Sequence, residues 1–215
     1  MRDRRLLSAE SLDRIEAAVA DAEKATSCEF VVVIAPASSR YEGRAMAAGA
    51  AAAVIVFVAL YWINDLWLDV APDALLLMLE GAAAGLITAL VFSRVRAARR
   101  LIIPRWRMDA AVDDAANATF TEENVSLTKQ RNACLLYVSV LEGRVRLMPD
   151  IGMQRTLNGA ALGEVLATLQ NAQTGDATTL VCDAIKKLGQ ACKDCFPYHA
   201  EDTNELPDRP QIRMP

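Results

Sequence analysis

The sequence has only one histidine, His199, and it lies in a proline-rich tail. A Ser-His-Asp triad or a histidine-based phosphoryl transfer would have to rest on that residue alone. There is no G-x-x-x-x-G-K-[ST] phosphate loop, no G-x-S-x-G elbow and no Cys-x5-Arg loop, which removes the P-loop, α/β-hydrolase and cysteine-phosphatase solutions. No internal repeat is visible. A net charge of -4 and a pI near 5.1 argue against nucleic acid as a partner, because such binding is driven by neutralising phosphates.

Charge is also missing locally. From Ala45 to Asn64 there is no charged residue, and from Ala74 to Ser93 there is only Glu80. Each run is about long enough to cross a hydrocarbon core of roughly 30 Å, whereas buried helices of soluble domains usually carry apolar runs of about 10 to 14 residues. Two membrane helices are expected, spanning about 45–64 and 74–93 with an outer connector at 65–73. A cleaved signal peptide fits poorly, since MRDRRLLSAESLDRIEAAVADAEK continues as a charged amphipathic helix; the mature chain is expected to keep it.

Orientation follows from the flanks. The connector carries Asp65, Asp69 and Asp73 and no Lys or Arg, whereas Arg40 and Arg44 precede the first span and Arg94, Arg96, Arg99, Arg100, Arg105 and Arg107 follow the second. The positive-inside rule makes both flanks cytoplasmic. The expectation is a multi-pass protein of a bacterial cytoplasmic (inner) membrane with both termini inside, the lipid bilayer as its first partner, and Tyr61, Trp62 and Trp67 at the outer interface. The arginines have a sharper reading as a site for anionic lipid headgroups or nucleic acid; as topology determinants every one of them is already explained.

The soluble parts lie on either side. Leu12, Ile15, Val19 and Ala22 repeat at helical spacing behind a cap at Ser8 or Ser11. The β-branched run in EFVVVIAP reads as a buried strand over Glu29–Ala35. Past the arginines, Met108, Val112, Ala115 or Ala116, and Phe120 suggest a second helix, and ACLLYVSVLEGRVRLMPDIGM reads as two strands turning near Glu142-Gly143-Arg144. Two helices follow, roughly 160–173 and 177–195, around the breaker Thr174-Gly175-Asp176. The tail from Pro197 holds four of the eight prolines and is expected to be extended or loosely docked. A lone strand cannot pair with itself and its only partners lie beyond the second span. The hairpin is therefore an insertion in one α/β domain, which gives 1–44 and 94–197 as the two parts of that domain, 45–93 as the hairpin and 198–215 as the tail.

The order SAESLDRIEAAVADAEKATSCEFVVVIAP, membrane hairpin, arginine-rich exit, TKQRNACLLYVSVLEGRVRLMPDIGM and NELPDRP resembles bacterial membrane proteins of the TPM domain family. The resemblance covers nearly the whole chain. It implies an α/β (α+β) fold with a small mixed sheet flanked by helices, and either assembly and maintenance of membrane complexes or acid phosphatase activity with divalent-metal binding. Where relatives commonly read DRGI, this chain reads Asp150-Ile151-Gly152 without the arginine.

Carboxylates are the remaining resource for metal-assisted hydrolysis, since Mg²⁺ or Ca²⁺ takes oxygen ligands and polarises phosphoryl groups. Asp150, after a strand and before a glycine, is the best single candidate; the competing reading is a turn-forming Asp bonded to its own backbone. Asp109 and Asp113 share a helical face with Asp114 nearby, and an exposed face explains them equally well. Cys192-x-x-Cys195 with His199 resembles part of a zinc motif, but Leu180, Ala184, Leu188, Cys192 and Cys195 also fall on one helical stripe, where cysteine serves as a small core residue. A cytoplasmic location disfavours disulfides. Glu80 is an intramembrane ionisable group and hence a functional candidate; its plainer reading is a place in the hairpin interior near Tyr61 or Asn64, or a reach toward outer water. Gly81 and Gly85 suit close packing within the hairpin or between copies.

Three functions compete. The first is a membrane-anchored cytoplasmic TPM-like domain that binds or maintains a membrane protein complex without catalysis. The second is a divalent-metal-dependent phosphatase acting on phosphate monoesters, which would lose activity in Asp150→Asn. The third is a small transporter, which would need homo-oligomerisation and Glu80.

Overall fold

The strand run Phe30–Ala35 (β1) and the run Cys134–Ser139 (β2) are buried along their whole length, as expected for strands covered on both faces. They pair in parallel, Phe30 opposite Cys134 through Ala35 opposite Ser139. β2 then turns into Arg144–Pro149 (β3), antiparallel to it. Gly143 sits in the turn at φ 65 and donates its N–H to Ser139 O at 2.9 Å, a left-handed backbone that glycine adopts without steric cost. A fourth strand, Gln211–Ile212 (β4), runs parallel to β1 on its other side, so the sheet order is β3-β2-β1-β4. The expected mixed sheet is present, and part of the tail joins it as a strand. The structure, a computed structural model, describes residues 4–68, 73–157, 159–170, 176–199 and 203–215. Asp69 of the outer connector, Thr174 and Gly175 of the breaker, and residues 200–202 of the tail lie outside these.

Helices cover both faces of the sheet. Ala9–Glu23 (α1) begins at Ser8, whose Oγ accepts the Ser11 N–H at 3.3 Å, and buries Leu12, Ile15, Val19 and Ala22 as their spacing predicts. With Ala177–Cys192 (α8) it packs on the face formed by Phe30, Val32, Ile34, Leu136 and Val138. Val31, Val33, Ala35, Leu135 and Tyr137 face the other way, onto Val112 and Ala116 of Arg105–Glu122 (α5). A parallel β1–β2 pair requires a crossover, usually helical, and α5 is its covering helix. Asp176 caps α8 through the Thr179 N–H at 3.3 Å.

The chain divides into two compact units, Met1–Ser39 with Met108–Pro215, and Arg40–Arg107. The second holds Glu42–Ile63 (α2), continued by a π-helical turn at Asn64–Leu68, then Ala74–Arg94 (α3) and the short helix Arg96–Ile102 (α4). Both α2 and α3 are long and apolar enough to cross a membrane and are buried over little of their length. The pair sits in the chain between β1 and the later strands, as expected of an insertion. Two further helices, Ile151–Thr156 (α6) and Gly159–Gln170 (α7), follow β3. The sequence reading missed α6 and carried α8 on to Cys195, past its observed end at Cys192; residues 171–173, which it gave to the preceding helix, lie outside the described residues.

Candidate functional site

The three carboxylates singled out for metal chemistry are not brought together; each meets an arginine. Asp150 is 4% exposed. Its Oδ1 accepts the Ile151 N–H at 2.7 Å, which caps α6, and its Oδ2 lies 2.9 Å from Arg131 Nε. The Asp-x-Gly pattern has a local cause. A Cβ on Gly152 would stand 2.5 Å from Arg131 O and 2.8 Å from Gln130 O, so only glycine lets α6 approach the loop that delivers Arg131. Asp109 and Asp113 do share one face of α5, and that face meets β3: Arg144 Nε lies 2.6 Å from Asp109 Oδ1, and Arg146 pairs with Asp113. Among the described residues, no group of three or more His, Cys, Asp or Glu is arranged to hold a metal ion.

A different set of acids lines a cleft of about 210 Å³ with Ala20, Lys24, Thr26, Tyr198, Thr203 and Asn204. Its carboxylates are Glu23, Glu29 and Asp208. Glu23 is the last residue of α1, and its Oε1 accepts the Phe30 N–H at 2.8 Å, linking the helix end to the start of β1. Glu29 is buried and holds the tail: its carboxylate accepts the N–H groups of Glu205 at 3.3 Å and Leu206 at 3.4 Å. Asp208 accepts from the Asn204 side chain. Burial pushes Glu23 up to about 8, with the charges of Glu29 and Asp208 adding to the rise and the Phe30 N–H opposing it. The tail segment NELPDRP contributes Asn204 and Asp208 to the cleft and is docked by Glu29, by Glu205 accepting the Lys129 N–H at 3.2 Å, and by Arg209 at 3.3 Å from Asp13 and 3.2 Å from Glu16. Sequence reasoning did not find this cleft. Its only signal was acids flanking two element ends and an acidic tail, far apart along the chain.

A second polar cluster closes the far end of the parallel strands. Ser38 donates its N–H to Glu142 Oε1 at 3.0 Å, and its hydroxyl lies 3.1 Å from Tyr137 Oη and 2.8 Å from Ser139 Oγ; Ser139 in turn donates to Glu142. Burial raises the Tyr137 phenol above its ordinary value, opposed by its hydrogen bond with Ser38. Tyr137, Ser139 and Glu142 are all buried, and the cluster ties the exit of β1 to the β2–β3 turn.

Within the hairpin unit, α2 and α3 touch backbone to backbone. A Cβ on Gly49 would lie 2.7 Å from Gly85 O, one on Gly81 would lie 2.9 Å from Ala53 O, and one on Gly85 would lie 2.8 Å from Gly49 O. Gly81 and Gly85 are therefore used inside the hairpin, the close approach that small residues permit. Glu80 does not face the hairpin interior as one reading held: it is exposed, beside the buried seam of Leu77, Gly81 and Gly85. Tyr61 and Trp62 are exposed and meet edge to face at 6.5 Å; the Trp67 side chain lies outside the described residues.

The arginines after α3 divide by role. Arg99 turns back to the end of α3, donating to Phe92 O at 3.1 Å and to Ser93 O, while Arg44 at the start of α2 donates to Ile102 O at 3.3 Å. Arg100 is half-buried, Arg94, Arg105 and Arg107 are exposed, and Arg96 opens α4. Of the cysteine pair, Cys192 is buried and Cys195 exposed, because α8 stops at Cys192 and the stripe stops with it. The core reading holds for Cys192 and fails for Cys195. All five thiols are free. His199 is exposed.

Together these features define a mixed α/β protein with two membrane-length helices inserted after its first strand. No protein-family model matches the chain, and no curated protein matches it. The NMR structure of BA42 protein from the psychrophilic bacterium Bizionia argentinensis is similar to it, with a TM-score of 0.58 at 19% identity over 96% of this chain and 94% of that one. At that identity the likeness is one of fold.

Proposed function

We propose that this chain is a membrane-anchored binding module with a TPM-like domain, held by the α2–α3 hairpin in a bacterial cytoplasmic membrane with both termini on the cytoplasmic side. The arginine-rich flanks and acidic connector support that orientation. The observation that carries the reading is the cleft of Glu23, Glu29 and Asp208, a recess suited to a cationic group of a partner in a membrane complex, whose approach would draw off the proton that burial holds on Glu23. Binding is favoured over phosphate-monoester hydrolysis because Asp150, Asp109 and Asp113 each spend their charge on an arginine, which leaves no carboxylate of that set to hold Mg²⁺ or Ca²⁺.

The test has three arms. A photo-crosslinking residue at Asn204 in native membranes should give an adduct of discrete mass that disappears when Glu23 and Asp208 are both replaced by Lys. Detergent-purified protein should hydrolyse phosphate monoesters no faster than Asp150→Asn in Mg²⁺, Ca²⁺ or chelator. Metal-dependent hydrolysis lost in that variant would make the chain an enzyme instead. A reporter fused at Pro215 should be active only in its cytoplasmic version.

A further inference from the structure

The hairpin unit ends in a segment that is basic, partly apolar and exposed. Between Gly81 and Met108 there is no Asp or Glu, and six arginines fall between Arg94 and Arg107. α3 ends at Arg94; Val95, at ψ 111, breaks the helix; and α4 starts at Arg96. The break is stabilised by Arg99, which satisfies the Phe92 and Ser93 carbonyls left open at the end of α3. Arg44 holds the other end of α4 through Ile102 O. These two arginines are spent on folding the base of the hairpin.

The remaining surface has a different composition. Leu101 is 84% and Trp106 67% exposed, and Arg94, Arg105 and Arg107 are exposed among them. The Arg107 guanidinium lies 5.9 Å from the Trp106 ring, so the aromatic and a cation are presented side by side. An apolar side chain and an indole beside arginines, just past a membrane-length helix, match the boundary between acyl chains and headgroups, where amphipathic rings settle.

We propose that the 94–107 segment lies on the bilayer surface at the end of α3 and recognises anionic lipid headgroups, with Arg94, Arg105 and Arg107 taking the phosphates and Leu101 and Trp106 entering the interface. The proposal rests on the membrane-spanning reading of α2 and α3. Charge complementarity selects the lipid: each exposed arginine near an anionic leaflet strengthens attachment roughly fivefold, and a neutral leaflet offers no such gain. Continuity selects the bilayer over nucleic acid, because the covalent end of α3 already places the arginines at headgroup depth.

The experiment uses the full chain with Trp62→Phe and Trp67→Phe, so that Trp106 is the sole tryptophan, reconstituted in nanodiscs of phosphatidylcholine with or without phosphatidylglycerol. The expected result is blue-shifted Trp106 emission, quenched by brominated lipid, only in the anionic discs, reversed by raising the salt and lost in the Arg94→Gln, Arg105→Gln, Arg107→Gln variant. Identical emission in both discs, or anionic dependence that survives the triple variant, would overturn it. So would binding of duplex DNA, by protein in neutral discs, that the triple variant loses, which would assign the arginines to nucleic acid. Release of the chain from membranes by alkaline carbonate would overturn the spanning reading and this one together, whereas firm retention with an insensitive Trp106 would overturn this one alone.

Discussion

Arg144 on β3 pairs with Asp109 on α5, and two residues further along the strand Arg146 pairs with Asp113, one helical turn on. The repeat follows from geometry: two strand residues rise about 6.6–6.8 Å and four helical residues about 6 Å, so the two elements match rung for rung. The partners keep 30–49% of their side-chain surface in solvent. Double-mutant cycles should therefore give only about 0.2–1 kcal/mol per pair. Thermal unfolding of Asp109→Arg with Arg144→Asp should recover most of what either single change loses; no recovery would mean that the pairs do not form.

Asp150 is expected to be structural. Asp150→Ala removes the cap of α6 and leaves Arg131 without its carboxylate, a loss of about 1–2 kcal/mol for the cap alone. Asp150→Asn keeps an acceptor for the Ile151 N–H and should lose less. Chemical denaturation of the two variants reads the order directly, and equal losses would contradict the capping role.

Gly152→Ala sets two effects against each other. Alanine is favoured over glycine in a helix by about 0.8–1 kcal/mol, but here its Cβ would meet two backbone carbonyls at 2.5 and 2.8 Å, and such overpacking costs about 1–3 kcal/mol. The clash should win, since neither carbonyl belongs to a side chain that can swing away. A lower melting temperature is expected, and a raised one would show that the 130–131 loop yields freely.

Glu23 should make stability depend on pH. Its folded value of about 8 lies above the ordinary 4.5, so the folded state holds the proton more tightly than the unfolded chain. The associated stability is fully present below about 4.5 and is lost as pH rises through about 8. Glu23→Gln should flatten that part of the unfolding profile while leaving the acid limb. An unchanged slope between these limits would assign the dependence elsewhere.

Thiol accessibility distinguishes the two halves of the Cys-x-x-Cys pair. In the native protein a maleimide should label Cys195 quickly and leave Cys28, Cys134, Cys182 and Cys192 untouched until denaturant is added, because those four are buried. Burial also raises the thiols of Cys134 and Cys182, and Cys192 is raised first by its hydrogen bond with Cys28 and then by burial, which lowers their thiolate fraction. Rapid labelling of a second cysteine would contradict the packing of α8.

Local pattern alone determined the elements that bury a face. The helical stripe of α1 was legible because burying one face imprints a period, and the all-apolar β1 because both its faces are covered. The Gly143 turn was legible because glycine takes a positive φ, and the two uncharged runs because of their length without charge. The insertion of the hairpin after β1 was legible too, since a strand needs partners and the chain offered them only beyond it. What depends on distant segments was not legible. β4 is two residues long and becomes a strand only by lying along β1. The acidic cleft joins the end of α1 to the tail through Glu29, the face Glu80 presents was set by the glycine seam between α2 and α3, and the separation of Arg99 from Arg105 came from the fold at the base of the hairpin. Periodicity reports how a residue sits on its own element, whereas partners, clefts and exposed faces are decided by which elements meet, and only the tertiary structure supplies that.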